Sequence, residues 1–133
     1  VMGTRIHLGK IDTPAYIQAG REDHIAPLAS VWRLMDHLSG PTTFLLAGSG
    51  HIAGVVNPPA AGKYQYWTGD SAAATLDDFV GGASETKGSW WPHWIDWISA
   101  QDGAKTATKG ARIPGKGAKK AIEDAPGRYV KQR

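Results

Sequence analysis

The sequence predicts an α/β fold with parallel strands, and three observations lead to this prediction. Two short apolar runs, Ala15–Ala19 and Thr42–Ala47, have the length and the β-prone residues of buried strands. Between these runs, apolar residues recur at three- and four-residue intervals, which indicates one amphipathic helix. A strand, a helix and a strand joined by short connections make the two strands parallel neighbours with a right-handed crossover.

The predicted elements follow one another closely. Gly20 ends the first strand, and Pro27 opens a helix of roughly 12 residues. The turn sequence at residues 39–41 ends this helix, because a glycine followed by a proline does not continue it. Gly48 then follows the second strand and turns the chain sharply. The buried face of the helix is expected to consist of Leu28, Val31, Trp32, Met35 and Leu38.

Residues 57–100 carry weaker signals. Residues 64–67 follow a turn sequence and are expected to lie in a loop with aromatic side chains. Thr75–Val80 is a predicted short helix, and Ser89 is the predicted N-cap of a last helix that ends near Ala100. We expect its tryptophans to pack against the sheet or another helix, although an exposed stripe would suit a hydrophobic polymer or a second subunit. The stripe consists of Trp90, Trp94 and Trp97.

Charge divides the chain into a body and a tail. Residues 1–102 contain 6 Lys/Arg and 10 Asp/Glu, a net charge of −4. Residues 103–133 contain 9 Lys/Arg and 2 Asp/Glu, a net charge of +7. We therefore predict a folded body over 1–102 and a solvated basic tail, rich in Gly, Ala and Lys, over 103–133. The tail has a single aromatic residue, Tyr129, so nucleic acid is not expected as a partner.

Composition excludes several kinds of site. The chain has no cysteine and therefore forms no disulfide, no thiolate metal site and no cysteine nucleophile from its own residues. No apolar run approaches the ~20 residues of a membrane-spanning helix. The histidines show no ligand spacing typical of zinc, so no metal site is expected.

Two loops carry the chemistry of an active site. Asp23 follows the first strand, within residues 21–27, and His51 follows the second strand, within residues 48–54. Functional groups collect at the carboxyl ends of neighbouring parallel strands, so the two side chains are expected to meet. A carboxylate fixes the tautomer of a histidine and leaves its other nitrogen to act as a general base. An acid followed by a histidine, with a helix and a strand between, is the order of the last two triad residues in α/β-hydrolases.

The remaining assignments concern neighbours of this pair. His24 is expected to point away from the side chain of Asp23 and receives a supporting role. Ile52 and Ala53 directly follow His51 and are expected to border the substrate. The alternative is a surface aspartate that caps a helix and a loop histidine without a function, and the order and topology of the pair favour function. Because no nucleophile is present and the chain opens on valine, we interpret it as the C-terminal part of an enzyme.

Four motifs occur in a defined order along the chain. They are Arg-Glu-Asp-His-Ile-Ala-Pro at 21–27, Ser-Gly-His-Ile-Ala-Gly-Val-Val-Asn-Pro-Pro at 49–59, Gly-Ser-Trp-Trp-Pro-His-Trp at 88–94 and Ala-Pro-Gly-Arg-Tyr-Val-Lys at 125–131. Together they resemble the C-terminal portion of poly(3-hydroxyalkanoate) synthases, from about residue 8 to the end with a divergent stretch at 105–120. The last motif is most similar to class I, which favours short-chain substrates, whereas Pro92-His93 is closer to the medium-chain class.

The resemblance implies a part of an α/β-hydrolase-fold domain that lacks the half with the nucleophile elbow. The family polymerises (R)-3-hydroxyacyl-CoA, such as 3-hydroxybutyryl-CoA, into polyhydroxyalkanoate and releases coenzyme A as a product, without a cofactor. An upstream cysteine would attack the thioester, His51 would activate it, and Asp23 would orient His51 or assist deprotonation of the 3-hydroxyl. The resemblance also implies a cytoplasmic homodimer on polyester granules. The 133 residues alone are expected to be inactive, because they lack the cysteine and the oxyanion hole.

Two other functions remain open. A polyester depolymerase or an acyl-CoA thioesterase of the α/β-hydrolase type would use Asp23 and His51 equally well. The upstream nucleophile separates these cases, since cysteine favours a polymerase and serine favours a hydrolase. The third candidate is a non-catalytic module that binds a granule or a partner through the tryptophan-rich helix and the basic tail.

Overall fold

A computed structural model describes residues 2–105, 107 and 120–132. The chain divides into a unit of residues 1–100 and a unit of residues 101–133. The first unit is built around a four-stranded sheet. The strands lie side by side in sequence order: β1 (Ala15–Gly20), β2 (Thr42–Ala47), β3 (Gln65–Thr68) and β4 (Ser84–Lys87). The α-helices are α1 (Leu28–Trp32), α2 (Leu76–Gly82) and α3 (Trp91–Gln101). Short 3₁₀ turns occupy Leu8–Lys10, Met35–His37, Pro59–Ala61 and Tyr129–Lys131.

The coarse prediction of a mixed α/β structure is confirmed, and so is the parallel pairing of β1 with β2. Their register runs from Ala15 opposite Thr42 to Gly20 opposite Ala47, so both strands end at the same edge of the sheet. No helix in the described ranges is long and apolar enough to cross a membrane.

The expectation of a loop is wrong for residues 65–67, which belong to β3, and β4 was not predicted. β3 pairs antiparallel with both β2 and β4. Every residue of β4 is exposed, so the strand has no alternation of apolar and polar side chains to reveal it. Its strand conformation depends on backbone pairing with β3, which local sequence does not encode.

The helix expected after Pro27 is shorter than predicted. The α-helix ends at Trp32, and the chain continues through a 3₁₀ turn at Met35–His37. The predicted apolar face is nevertheless correct, because residues three apart stay aligned in the tighter turn. Trp32 is buried, and its partners against the core are Leu28, Val31, Met35 and Leu38.

Both later helices are confirmed. Thr75 caps α2, since its hydroxyl accepts the Asp78 N–H at 3.1 Å. The Ser89 hydroxyl accepts the Trp91 N–H at 3.1 Å where α3 begins. The tryptophan stripe is partly buried: Trp90 is 8% exposed and belongs to the core, whereas Trp94 is 37% exposed.

Strand β2 is buried on both faces and separates two apolar clusters. The first contains Phe44, Trp32 and Phe79, with the Phe44 ring 4.9 Å from that of Trp32 and 5.1 Å from that of Phe79, in both cases edge to face. The second contains Leu45, Ala47, Tyr66 and Trp90. This double burial fixes the position of the strand that delivers the loop after Ala47.

Phe79→Ala is expected to lower the free energy of unfolding by about 3–5 kcal/mol, because it removes a side chain that is 1% exposed from the first cluster. Urea titration followed by tryptophan fluorescence measures this loss. Val80→Ala is the control on the same helix, since Val80 is 40% exposed. Equal losses for the two variants would contradict the assigned core.

Candidate active site

The loops that follow β1 and β2 are joined by backbone hydrogen bonds. Arg21 N–H donates to the Ala47 carbonyl at 2.8 Å, and Glu22 N–H donates to the Ser49 carbonyl at 3.2 Å. Gly20 permits this approach, because a Cβ there would lie only 3.1 Å from the Ser49 carbonyl oxygen. The parallel pairing is thus extended beyond the strands into the loops that carry Asp23 and His51.

Asp23 and His51 meet as predicted. The Oδ2 atom of Asp23 lies 2.8 Å from Nδ1 of His51, and the two side chains are 6% and 45% exposed. The other carboxylate oxygen, Oδ1, accepts the backbone N–H groups of Ile25 and Ala26, each at 2.9 Å. Both oxygens of the nearly buried carboxylate are therefore occupied by donors.

This bonding pattern determines the tautomer of His51. An ionised carboxylate only accepts hydrogen bonds, so Nδ1 must carry the proton that lies between His51 and Asp23. In the neutral ring Nε2 is then the unprotonated nitrogen with a free lone pair. No hydrogen-bond partner of Nε2 lies among the described residues, and the ring is half exposed. His51 is arranged to accept a proton at Nε2.

The surroundings of Asp23 favour its charged form. The Ala26 N–H is the main group that lowers the pKa of this carboxyl below its ordinary value of 3.8, and the His51 and Ile25 hydrogen bonds act in the same direction. Burial opposes them and does not reverse the shift. Asp23 therefore remains an anion at neutral pH and is a weak base.

The segment after His51 is a tight turn held by two tryptophans. Gly54 N–H donates to the Gly50 carbonyl at 2.9 Å, and a Cβ at Gly54 would lie 2.8 Å from that carbonyl oxygen. The Trp90 indole donates to the Gly54 carbonyl at 2.9 Å, and the Trp91 indole donates to the Val55 carbonyl at 3.0 Å. The sequence predicted packing or surface-binding roles for the tryptophans of this segment, and no spacing indicated these hydrogen bonds to the turn.

The other predicted site residues lie near the pair without contacts that define a role. His24 is exposed, Ile52 is 74% exposed, and Ala53 is partly buried. The described residues enclose no pocket around them and contain no cluster of three or more potential metal ligands. The described part of the chain therefore holds an oriented acid–histidine pair on an open surface.

Comparison with known proteins identifies relatives of the whole chain. No family model matches it. It is 51% identical to the poly(3-hydroxyalkanoate) polymerase subunit PhaC of Rhizobium etli over 131 residues, which are 98% of the chain and 20% of that protein. It is 44% identical to the PhaC subunit of Cupriavidus necator over 133 residues, which are 100% of the chain and 22% of that protein. Poly(3-hydroxyalkanoate) polymerase 2 of Ectopseudomonas oleovorans is 35% identical over 133 residues, 100% of the chain and 23% of that protein. The chain thus spans about a fifth of the length of the curated relatives it matches.

The Asp23 carboxyl is expected to titrate with a midpoint below 3.8, as observed by NMR of its side-chain carboxyl carbon. His51→Gln should raise this midpoint without restoring 3.8, because the Ala26 and Ile25 N–H groups still favour the anion. Since the pKa is lowered on folding, the stability that Asp23 contributes is complete above its unfolded value and is lost as the pH falls through the folded-state pKa. A midpoint at or above 3.8 in the unsubstituted chain would contradict the hydrogen bonds assigned to Asp23.

Proposed function

Because the chain is homologous over nearly its whole length to a part of the poly(3-hydroxyalkanoate) polymerases, we propose that it supplies the acid and the base of such a polymerase. The complete protein would polymerise (R)-3-hydroxyacyl-CoA into polyhydroxyalkanoate and release coenzyme A. The observation that carries the proposal is the 2.8 Å bond between Asp23 and His51, which leaves Nε2 free to accept a proton. The nucleophile is a cysteine elsewhere in the polypeptide.

In the first half-reaction the cysteine thiol transfers its proton to Nε2 of His51. The thiolate adds to the carbonyl carbon of the acyl-CoA, and the bond between that carbon and the sulfur of coenzyme A breaks. The departing thiolate takes the proton from Nε2, so coenzyme A leaves as a thiol and the acyl group remains on the cysteine. Asp23 stabilises the transient imidazolium, because it is an anion at 2.8 Å from Nδ1.

In the second half-reaction His51 accepts the proton of a 3-hydroxyl group. The alkoxide oxygen attacks the acyl carbon on the cysteine, an ester bond forms, and the cysteine thiolate leaves and regains the proton. Of the two roles open to Asp23, we assign orientation of His51 and not direct deprotonation of the hydroxyl. Three features support this choice: both carboxylate oxygens already accept hydrogen bonds, the side chain is 6% exposed, and the pKa is lowered.

The proposal includes the architecture and location of the complete enzyme. Strand β1 pairs only with β2 in the described part of the chain, so its other edge is available to a parallel strand from the rest of an α/β-hydrolase sheet. We place residues 1–102 in that catalytic domain and residues 103–133 in a basic tail. The enzyme would act in the cytoplasm, on polyester granules, as a homodimer. Ile52 and Ala53 would border the acyl group, with His24 in a supporting role.

The proposed reaction is tested with the full-length protein and 3-hydroxybutyryl-CoA, by following coenzyme A release and isolating the product. Coenzyme A together with polymer is the expected result. Release of free hydroxy acid without polymer would identify a thioesterase, and no release would favour a binding module.

His51→Gln should lower turnover by at least about 100-fold, the usual contribution of a general base. His37→Gln, at an exposed position on a 3₁₀ turn, should leave turnover unchanged.

Asp23→Asn distinguishes the two roles of the carboxylate. If Asp23 orients His51, the amide should slow both the acylation of the cysteine and the elongation of the polymer to a similar extent, since His51 serves both steps. Rapid quenching gives the acylation rate from the first turnover of coenzyme A, and polymer length gives elongation. Normal acylation with blocked elongation would instead assign Asp23 to the hydroxyl group.

A further inference from the structure

Two neighbouring indole groups contact the turn that carries His51. The Trp90 N–H donates to the carbonyl of Gly54, and the Trp91 N–H donates to the carbonyl of the next residue, Val55. Gly54 follows His51 by three positions along the chain, and Val55 follows it by four. Trp90 is 8% exposed and Gly54 is buried, so water does not readily replace the first of these bonds.

We propose that Trp90 and Trp91 are positioning residues, which hold the turn after His51 so that its imidazole stays on Asp23 with Nε2 free. This inference rests on the proposed function of His51. The indole N–H groups matter as well as the size of the rings, because the two donors bind consecutive carbonyls of one backbone turn. A phenylalanine ring would retain most of the packing. In place of Trp90 it would leave the Gly54 carbonyl without a donor among the described residues, and in place of Trp91 it would leave the Val55 carbonyl with the Asn57 N–H alone.

The same end of α3 also contacts the strand that leads to Asp23. The Tyr16 side chain of β1 lies 2.8 Å from Nδ1 of His93, and its ring stacks on Trp90 at 6.2 Å. Burial raises the pKa of the Tyr16 hydroxyl, so this hydroxyl stays protonated and shares a hydrogen bond with the His93 ring. The start of α3 is therefore attached to β1 through Tyr16 and to the turn after His51 through the indoles. These contacts fix the positions of the elements that carry Asp23 and His51 relative to each other.

The test uses three phenylalanine variants of the full-length protein. Trp90→Phe and Trp91→Phe each remove one of the two N–H donors. Trp94→Phe is the matched control on the same helix, because its indole makes no hydrogen bond to a described residue and its ring is 37% exposed. The first readout is the ¹⁵N spectrum of the His51 imidazole, which reports the proportion of ring with the proton on Nδ1. The second is the separate change of kcat and KM for 3-hydroxybutyryl-CoA.

We expect Trp90→Phe and Trp91→Phe to lower the proportion of the Nδ1–H form of His51. They should reduce kcat by about 10- to 100-fold with little change in KM, the effect of displacing a catalytic group by a fraction of an ångström. Trp94→Phe should change neither quantity. A variant that only weakened the fold would instead lose kcat in proportion to the unfolded fraction, with an unchanged imidazole spectrum in the folded protein.

An unchanged His51 spectrum in the folded Trp90→Phe and Trp91→Phe proteins would overturn the inference. If Trp90→Phe does not fold, Trp91→Phe decides, because the Trp91 side chain is only partly buried. A changed spectrum with normal kcat would support the positioning role and overturn the proposed role of His51. Failure of the inference and failure of the proposed function are thus separated by the two readouts.

Discussion

The parallel pairing of β1 with β2 is the constraint on which the candidate site depends. Because the two strands run in the same direction and end opposite each other, at Gly20 and Ala47, their following loops leave the sheet at one edge. Hydrogen bonds then join these loops, and the acid of one reaches the histidine of the other at 2.8 Å. A shift of register by one residue would separate them and reverse every side chain of the strand. The burial of β2 on both faces therefore serves the site as well as the core.

Local patterns in the sequence were sufficient for β1, for β2 and for the meeting of Asp23 with His51, and insufficient for β3, for β4 and for the contacts that hold the pair in place. Apolar runs mark β1 and β2, and the acid-then-histidine order places Asp23 and His51 at their ends. Ser84–Lys87 has no apolar side chain facing a core, so β4 follows only from its pairing with β3. The indole hydrogen bonds join residues 36 positions apart, and no spacing rule predicts them. The helix after Pro27 was predicted too long because its apolar face continues through a 3₁₀ turn, where the three-residue spacing persists.

Asp23 and His51 have different electrostatic surroundings, and each is suited to a different role. Asp23 is nearly buried, satisfied at both oxygens and held as an anion, which suits a fixed negative charge better than a proton carrier. His51 is half exposed and has one nitrogen without a described partner, which suits proton transfer with a group from outside the chain. In the proposed polymerase reaction this group is a cysteine thiol. Its proton must be removed, because the thiolate is both the nucleophile and the leaving group. The His51 side chain is 45% exposed, which leaves room for such a sulfur to approach.

The pH dependence of cysteine alkylation tests whether His51 activates a cysteine from another part of the polypeptide. The full-length protein and its His51→Gln variant are treated with iodoacetamide, and the substrate-protected cysteine is followed by mass spectrometry. At neutral pH, alkylation is expected to be fast in the unsubstituted protein and slow in the variant. The two rates should converge above about pH 8.5, where an isolated thiol ionises without help. Equal rates at neutral pH would show that His51 does not activate the cysteine.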